Sequence, residues 1–577
     1  MKRSVLLASV LLAAGVASAQ QLKNPDTLVV ATLGDWGSGF DPAFCYDTAC
    51  GNVLQNTTET LFGYQGNDAS KVVPLLAASL PTISNGGKTY TVKLRPNLKF
   101  SDGTPLTAED VKYSLQRVMV YSTDVGAAGD LNEPLLGSAA LVRAKDDANA
   151  WAKINKAITT RGNDTVVFNL PKPFAPFPSV LAFPSFAIVS KAAAVKGGDW
   201  SGTQSDWAKF NNLPAASSKW TNTGMTGSGA FVIERYDPAK TLVYKRNDNY
   251  WRAKAKLARV IEQAVNDDTA RIQLLKTGDA DMAARNAIPA ALLGQVRQLP
   301  GMTVKTSNAL SLYGIYFTHK IDPTGTNYLG SGKLDGKGIP ANFFSDLNVR
   351  KGLAAAFDYD AFIKDVMQGL ATQQNTPTIK GLLGYTPSSP KYKYDKAAAT
   401  NYFKKAWGGQ VWQNGFTVPA FFNSGNSVRQ RGLQILARDL ADINPKFKVD
   451  VRELQFGQIL AQSAAHKMTI WMGGWGNDYA DVHNMVQPYY ASNGNYPQNE
   501  NYKNPQLDKL IDQAISETNS AKRASLYQQI AKIGFADVPD LPIYQPQDIF
   551  VQHDWVKNRS FNPIYPSDYY YPMSKGQ

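Results

Sequence analysis

The segment Gly474-Trp475-Gly476-Asn477-Asp478-Tyr479-Ala480-Asp481 carries residue types suited to recognition chemistry. A fixed carboxylate at Asp478 beside Trp475 and Tyr479 suits a primary ammonium. The carboxylate supplies a charge-assisted hydrogen bond, and aromatic faces add cation–π attraction on the order of 0.5–2 kcal/mol. Two other readings use the same residues. Asp478 could cap the turn or helix that follows, and Asp478 with Asp481 could form an acid–base carboxylate pair. Spacing alone does not separate the three.

Other chemistry is sparse. No G-x-S-x-G, H-E-x-x-H, P-loop or G-x-G-x-x-G segment occurs. The four histidines, His319, His466, His483 and His553, neither pair at i, i+4 nor sit beside a cysteine, so no metal site and no cofactor is signalled. The two cysteines enclose Tyr46-Asp47-Thr48-Ala49. In an oxidising compartment Cys45 and Cys50 are expected to close a small structural disulfide behind Phe40-Asp41-Pro42. A redox or metal pair is the alternative. Lys245–Arg259 gathers six basic residues around Tyr250 and Trp251. That stretch reads as a solvated face rather than a nucleic-acid stripe, because the chain carries an export signal.

The elements that position these residues alternate between strand and helix. Leu28–Leu33 reads as a buried strand ending at Asp35 and Trp36. Val418–Phe422 reads as a strand running into Asn423 and Ser424. Leu433, Leu436 and Leu440 form one helical face, Phe447, Val449 and Val451 alternate as a strand, and a weaker helical stretch follows to His466. Met468–Met472 is a last apolar strand, ending at Gly473-Gly474. Strand-helix-strand-helix-strand order implies parallel pairing, and such sheets bind ligands beyond the carboxyl ends of their strands. Asp35, Trp36, Asn423, Ser424, Asn477 and Asp478 would then line one cleft from two sides. Between these regions, Lys71 to about Trp220 reads as a compact insertion rich in strands and loops. Within it, Tyr90, Val92 and Leu94 alternate, and Thr107-x-x-Asp110 resembles a capping box.

The N-terminus is an address. Lys2 and Arg3 precede an apolar run from Val5 to Val16, and Ala17-Ser18-Ala19 completes the small-x-small pattern of a signal peptide cleaved after Ala19. The run is shorter than the roughly 20 residues needed to cross a bilayer. Removal of residues 1–19 takes the formal net charge from +13 to +11, with 58 basic against 47 acidic residues. The remaining length exceeds one compact core, so two or three domains are expected.

A family pattern emerges from motifs in their order. Phe40-Asp41-Pro42 followed by Tyr46-Asp47-Thr48-Ala49 is similar to an early D-P…Y-D-x-A segment, and Asn56–Leu61 to an N-x-x-E-T-L helix. Thr89–Val111, Gly227–Phe231, Arg246–Trp251 and Val349–Asp358 match further motifs. Over nearly the whole mature chain the sequence resembles the solute-binding protein family 5 receptors, the periplasmic oligopeptide- and dipeptide-binding proteins of ABC importers. The resemblance implies an α/β protein of the periplasmic binding protein type II-like class, with two hinged lobes and a small inserted domain. Lobe I would comprise residues 20–70, 221–308 and 541–577, the inserted domain II 71–220, and lobe III 309–540. Crossings between the lobes would lie near Thr306–Leu312 and Val538–Gln545.

The resemblance also implies a soluble, monomeric periplasmic receptor without enzyme activity or nucleic-acid partner. It would deliver peptide to a membrane permease and its ATPase. Asp478 would meet the peptide's α-amino group, flanked by Trp475 and Tyr479. Dipeptide receptors of the family tend to hold the ligand carboxylate with an arginine where this chain reads Phe421-Phe422-Asn423, which implies longer or end-tolerant peptides. Oligosaccharides, stacked on the plentiful aromatic rings, are the rival cargo. A secreted hydrolase using Asp478 and Asp481 is the rival class.

Overall fold

The protein is described by a computed structural model covering residues 22–576, except Asp35, Gly37, Ser38, Asp124, Val125, Thr221 and Ala239, and except the side chain of Ala215. The signal peptide with its cleavage after Ala19, and the candidate Asp35, lie outside the described residues.

Strand β1 (Thr27–Thr32) buries Leu28, Val30 and Ala31 completely. Burying Leu28 and Val30 contributes roughly 1.5–3 kcal/mol each. A helix, Thr48–Thr57, follows, its first turn capped by the Asp47 carboxylate accepting from the Cys50 N–H at 2.8 Å. Cys45 and Cys50 are disulfide-bonded across that start, with Cα atoms 5.8 Å apart. A hairpin, β2 (Phe62–Gln65) and β3 (Asp68–Pro74), leads into the insertion.

There β4 (Thr82–Ser84), β5 (Thr89–Lys93), β6 (Ile158–Arg161) and β7 (Thr165–Asn169) form an antiparallel sheet in the order β4-β5-β7-β6. The insertion is more helical than its sequence texture suggested, with helices Ala108–Tyr121, Ala128–Leu136, Ala150–Ala157 and Lys191–Lys196. The first begins where expected: the Asp110 carboxylate accepts from the Thr107 N–H (2.9 Å) and hydroxyl (2.8 Å). Small residues and prolines masked the others, whose burial comes from packing on Tyr90, Val92, Leu115 and Trp200 in one core.

The chain then builds β8 (Phe231–Asp237), β9 (Thr241–Arg246), β10 (Arg259–Ala264), β11 (Met282–Ala283), β12 (Met302–Asn308) and β13 (Ser311–Phe317). There follow β14 (Ala371–Gln373), β15 (Phe416–Asn423), β16 (Phe447–Leu454), β17 (Ile470–Gly476) and the 13-residue β18 (Leu541–His553). The large sheet runs β16-β15-β17-β13-β18-β11-β1-β10-β9-β8, with β12 and β14 also pairing with β18. It is therefore two half-sheets joined through one strand. Leu541–Tyr544 of β18 pairs with β13, whereas Val551 and Gln552 pair with β11. The only break between β12 and β13 is Ala309-Leu310, so the chain changes half-sheet there as well.

The expected parallel pairing is present in both halves: β1 with β10 and β11, and β15 with β16 and β17. One boundary differs. Gly473-Gly474 does not end β17, which continues through Gly476 against β13. A Cβ on Gly474 would lie 2.2 Å from the Tyr313 ring, so the missing side chain lets that ring lie on the strand. Tyr313 in turn stacks on Tyr544 at 5.3 Å. Glycine here marks close approach, not a turn.

Candidate functional site

Past Gly476 the chain folds into a loop, residues 477–482, before the helix His483–Tyr490. Asn477 organises that loop. Its N–H donates to the Leu310 carbonyl at 2.8 Å, and its side-chain amide donates to the carbonyls of Tyr479 and Asp481, both at 2.9 Å. Asp481 accepts from the His483 N–H (2.8 Å) and clasps Arg523 through two bonds of 2.6 and 2.7 Å. Burial would raise the Asp481 carboxyl, but the Arg523 guanidinium outweighs it and holds the group below the ordinary value. Asp481 is thus a capping and pairing residue, with no freedom to act as an acid beside Asp478.

Asp478 has a different environment. Its N–H donates to Asn484 Oδ1 (2.8 Å), and Asn484 Nδ2 (3.2 Å) and the Tyr46 hydroxyl (3.1 Å) both donate to its Oδ2. No lysine or arginine pairs with it among the described residues. Burial pushes its carboxyl up to about 6, against the lowering effect of the Asn484 and Tyr46 bonds. The half-buried Asp130 carboxyl is also raised, first by burial and then by the charges of Asp478 and Glu133.

Asp478 stands on the wall of two hollows. The larger, of about 650 Å³, lies between the ends of the half-sheets. Trp36 and Glu262 line it from the β1 side, Ser311, Asn477 and Asp478 from the β13–β17 side, and the C-terminal segment 563–567 closes it. The smaller, of about 320 Å³, continues past Asp478 between Tyr64, Tyr565 and Tyr569 to Arg252. Glu262 is the buried anchor of the floor, accepting from Trp36 Nε1 (2.5 Å), Asn52 Nδ2 (3.0 Å) and the Tyr570 hydroxyl (2.6 Å). Pockets of this size and mixed lining hold small organic ligands.

The sequence-predicted residues separate accordingly. Trp36, Asn477 and Asp478 reach the larger hollow. Tyr479 lines the smaller hollow beside Asp478 and, with Trp475, Asp130 and Glu133, a third one of about 440 Å³; Trp475 reaches neither of the first two. The aromatic ring that touches the Asp478 carboxylate is that of Tyr46. Asn423 and Ser424 line neither of the hollows that Asp478 shares: Asn423 Oδ1 accepts from Arg429 (2.7 Å) and Ser424 Oγ from Gln455 (3.1 Å) at the end of β15. Sequence reasoning missed Asn484, Arg285 and the C-terminal segment 563–570. Tyr46 stood within a quoted motif and could have been singled out; the others follow no local pattern. Among the described residues, no group of three or more His, Cys, Asp or Glu side chains could hold a metal ion, and no helix is long and apolar enough to cross a membrane.

A family model described as bacterial extracellular solute-binding proteins, family 5 Middle, matches residues 71–497, most of the chain. The chain belongs to that family. Among curated relatives, this family 5 protein is 24% identical to the "Probable D,D-dipeptide-binding periplasmic protein DdpA" of Escherichia coli, over 98% of each chain. It is 23% identical to Heme-binding protein A of Haemophilus influenzae, over 88% of this chain and 84% of that one. Its fold is that of the periplasmic binding protein DppA from Helicobacter pylori, solved in complex with the peptide STSA. The TM-score there is 0.72, with 21% identity, covering 96% of this chain and 98% of that one.

The family motifs acquire physical roles in this solute-binding protein. The buried Glu59 of the Asn56–Leu61 segment accepts from the Tyr250 hydroxyl (2.7 Å), Trp251 Nε1 (2.5 Å) and Ser228 Oγ (3.2 Å). Burial lifts its carboxyl to about 7 despite those donors. Three motifs far apart in sequence are thereby one polar knot. The basic stretch around Trp251 is surface, with Lys254 on Asp248 (3.1 Å) and Arg259 on Glu234 (2.8 Å).

Proposed function

We propose that this chain is an exported receptor that binds peptides by their α-ammonium at Asp478 and hands them to an ABC importer. The observation that carries the reading is the Asp478 carboxylate. It is held in place by Asn484 and Tyr46, pairs with no cation among the described residues, and sits on the wall of a hollow between two half-sheets. An ammonium placed there would gain a charge-assisted bond in a partly dehydrated site. The rest of an extended peptide would lie along the strand ends of β1, β11 and β13 and make main-chain bonds that do not depend on side-chain identity.

The division into lobe I (20–70, 221–308, 541–577), domain II (71–220) and lobe III (309–540) is supported by the joining of the half-sheets through β18 and Ala309-Leu310, although Leu541, Ile543 and Tyr544 pack in the core of residues 309–540. Bending at those two connections would open and close the hollow. The closed, loaded form would be the one a permease and its ATPase recognise. Secretion by cleavage after Ala19, a periplasmic location and a monomeric state complete the reading.

Native mass spectrometry of protein purified without refolding, followed by release of whatever is bound, tests the cargo. Peptides with free amino termini are the expected result. A released sugar or tetrapyrrole, or turnover of added peptides, would overturn it.

A further inference from the structure

The larger hollow is ringed by Asp47, Glu262, Asp478 and Asp548, and among the described residues lining it Arg285 is the one cation. Arg285 follows β11, so it stands at the carboxyl end of a strand parallel to β1, in the half-sheet opposite Asp478. Its side chain is only 12% exposed. One terminal nitrogen donates to the Pro566 carbonyl. The other, Nη1, is buried with no hydrogen-bond partner. Asp548 lies 3.6 Å from it, beyond hydrogen-bond reach, and turns its other oxygen to Asn286 Nδ2 at 2.8 Å. A buried guanidinium with an unmet N–H at the edge of a cavity calls for an acceptor, and a carboxylate matches its planar fork.

We infer that Arg285 receives the ligand's carboxylate, so that the cargo is a short zwitterionic peptide spanning from Asp478 on lobe III to Arg285 on lobe I. This rests on the peptide reading of Asp478. It also reverses an expectation. Phe421-Phe422-Asn423 offers no arginine in lobe III, which pointed to longer, end-tolerant peptides; the cation comes from lobe I instead. Placing the two ionic anchors on opposite lobes makes the ligand itself the tie that closes them. A peptide lacking either terminal charge engages one lobe's anchor and leaves the other buried and unpaired. Peptides too long to end inside the hollow cannot use Arg285.

The test uses pools of peptides of defined length, from dipeptides upward, each prepared with free termini, with an amidated C-terminus and with an acetylated N-terminus. Binding to the full mature protein is ranked by native mass spectrometry and calorimetry. The wild type is expected to favour short pools with free termini and to lose about tenfold or more on amidation. Arg285→Gln, checked for folding by circular dichroism, is expected to bind free and amidated pools alike. If acetylation weakens binding but amidation does not, the Arg285 inference falls while the Asp478 reading stands. If amidation matters equally in Arg285→Gln, the carboxylate lies elsewhere and the inference also falls. If no pool binds, the peptide reading is lost and this inference with it. The amidation arm needs no variant, so a poorly folding Arg285→Gln leaves the inference open to refutation.

Discussion

The insertion, residues 71–220, meets residues 20–70 and residues 309–540 on different terms. Toward residues 20–70, Arg117 donates to both oxygens of Asp41 (2.6 and 2.9 Å), and within the insertion it also donates to Asp199 (3.0 Å), with all three side chains about 2% exposed. Toward residues 309–540 the ion pairs are longer, and apolar packing accompanies them: Tyr479 and Ile515 sit in the insertion's own core, and the Phe174 and His483 rings lie 5.7 Å apart. Glu133 faces His483 at 3.5 Å, Lys172 faces Asp512 at 3.5 Å, and Ala175 donates one backbone bond to the Ile515 carbonyl (2.8 Å). The first junction is dry, bidentate and fully paired. The second has charges at the edge of hydrogen-bond range and open space behind them. Breaking the buried Arg117–Asp41 pair costs several kcal/mol, whereas the exposed Lys172–Asp512 pair is worth about 0–1 kcal/mol. Domain II should therefore travel with lobe I, and motion should fall on the lobe III side.

The largest effect that contrast predicts is on Arg117→Ala. It leaves two buried carboxylates without their cation and should cost about 3–5 kcal/mol of stability, read from the urea midpoint. A loss below about 1 kcal/mol would mean the two junctions are alike. Next is Asp478→Asn, which should weaken binding of peptides with a free amine by about 2–4 kcal/mol in calorimetry. Its apo melting temperature should not fall, because the change removes a carboxyl whose ionised form burial disfavours. Equal loss for acetylated and free peptides would deny the anchor role.

Third, Cys45→Ser with Cys50→Ser opens a small loop of sequence separation 5. About 2 kcal/mol of stability should be lost by loop-closure entropy. Affinity should move little beyond what displacement of Tyr46 causes.

Fourth, affinity should depend on pH through Asp478. Its carboxyl titrates near 6 without ligand. An ammonium stabilises the ionised form and lowers that value in the complex. Binding is then fully developed above about pH 7 and declines as pH falls through 6, by up to about 1.4 kcal/mol per pH unit. A flat profile from pH 5 to 8 in the wild type, or the same slope in Asp478→Asn, would refute this assignment.

Smallest is Tyr46→Phe, which removes one donor from Asp478. A drop of about 0.5–1.5 kcal/mol is expected, with the pH profile displaced upward.

What was legible in the sequence is what local pattern encodes. The β15–helix–β16–helix–β17 order followed from alternation and helical spacing, and the capping box at Thr107 and Asp110 from two residue types at fixed distance. The position of the loop that carries Asp478 was legible because it leaves a parallel strand; the anchor role of Asp478 is our proposal. The same rule overreached at Asn423 and Ser424, whose side chains are taken up by Arg429 and Gln455. It also failed to weigh Arg285, because β11 has only two residues and shows no periodicity.

By itself the sequence determined the family, the alternation of elements, the cysteine pair and the loop that carries Asp478. Each depends on contacts within a short stretch or on motifs in order. Only the tertiary structure decided that Asp481 is spent on Arg523 while Asp478 meets no cation among the described residues. It alone set Tyr46, Asn484 and the C-terminal segment around that carboxylate, and placed Arg285 across the hollow from it. Those outcomes depend on which groups meet once the chain is folded, across 42 residues for Asp481 and Arg523 and 432 for Asp478 and Tyr46. Burial and pairing, which fix the charge a carboxyl carries, do not exist before that meeting.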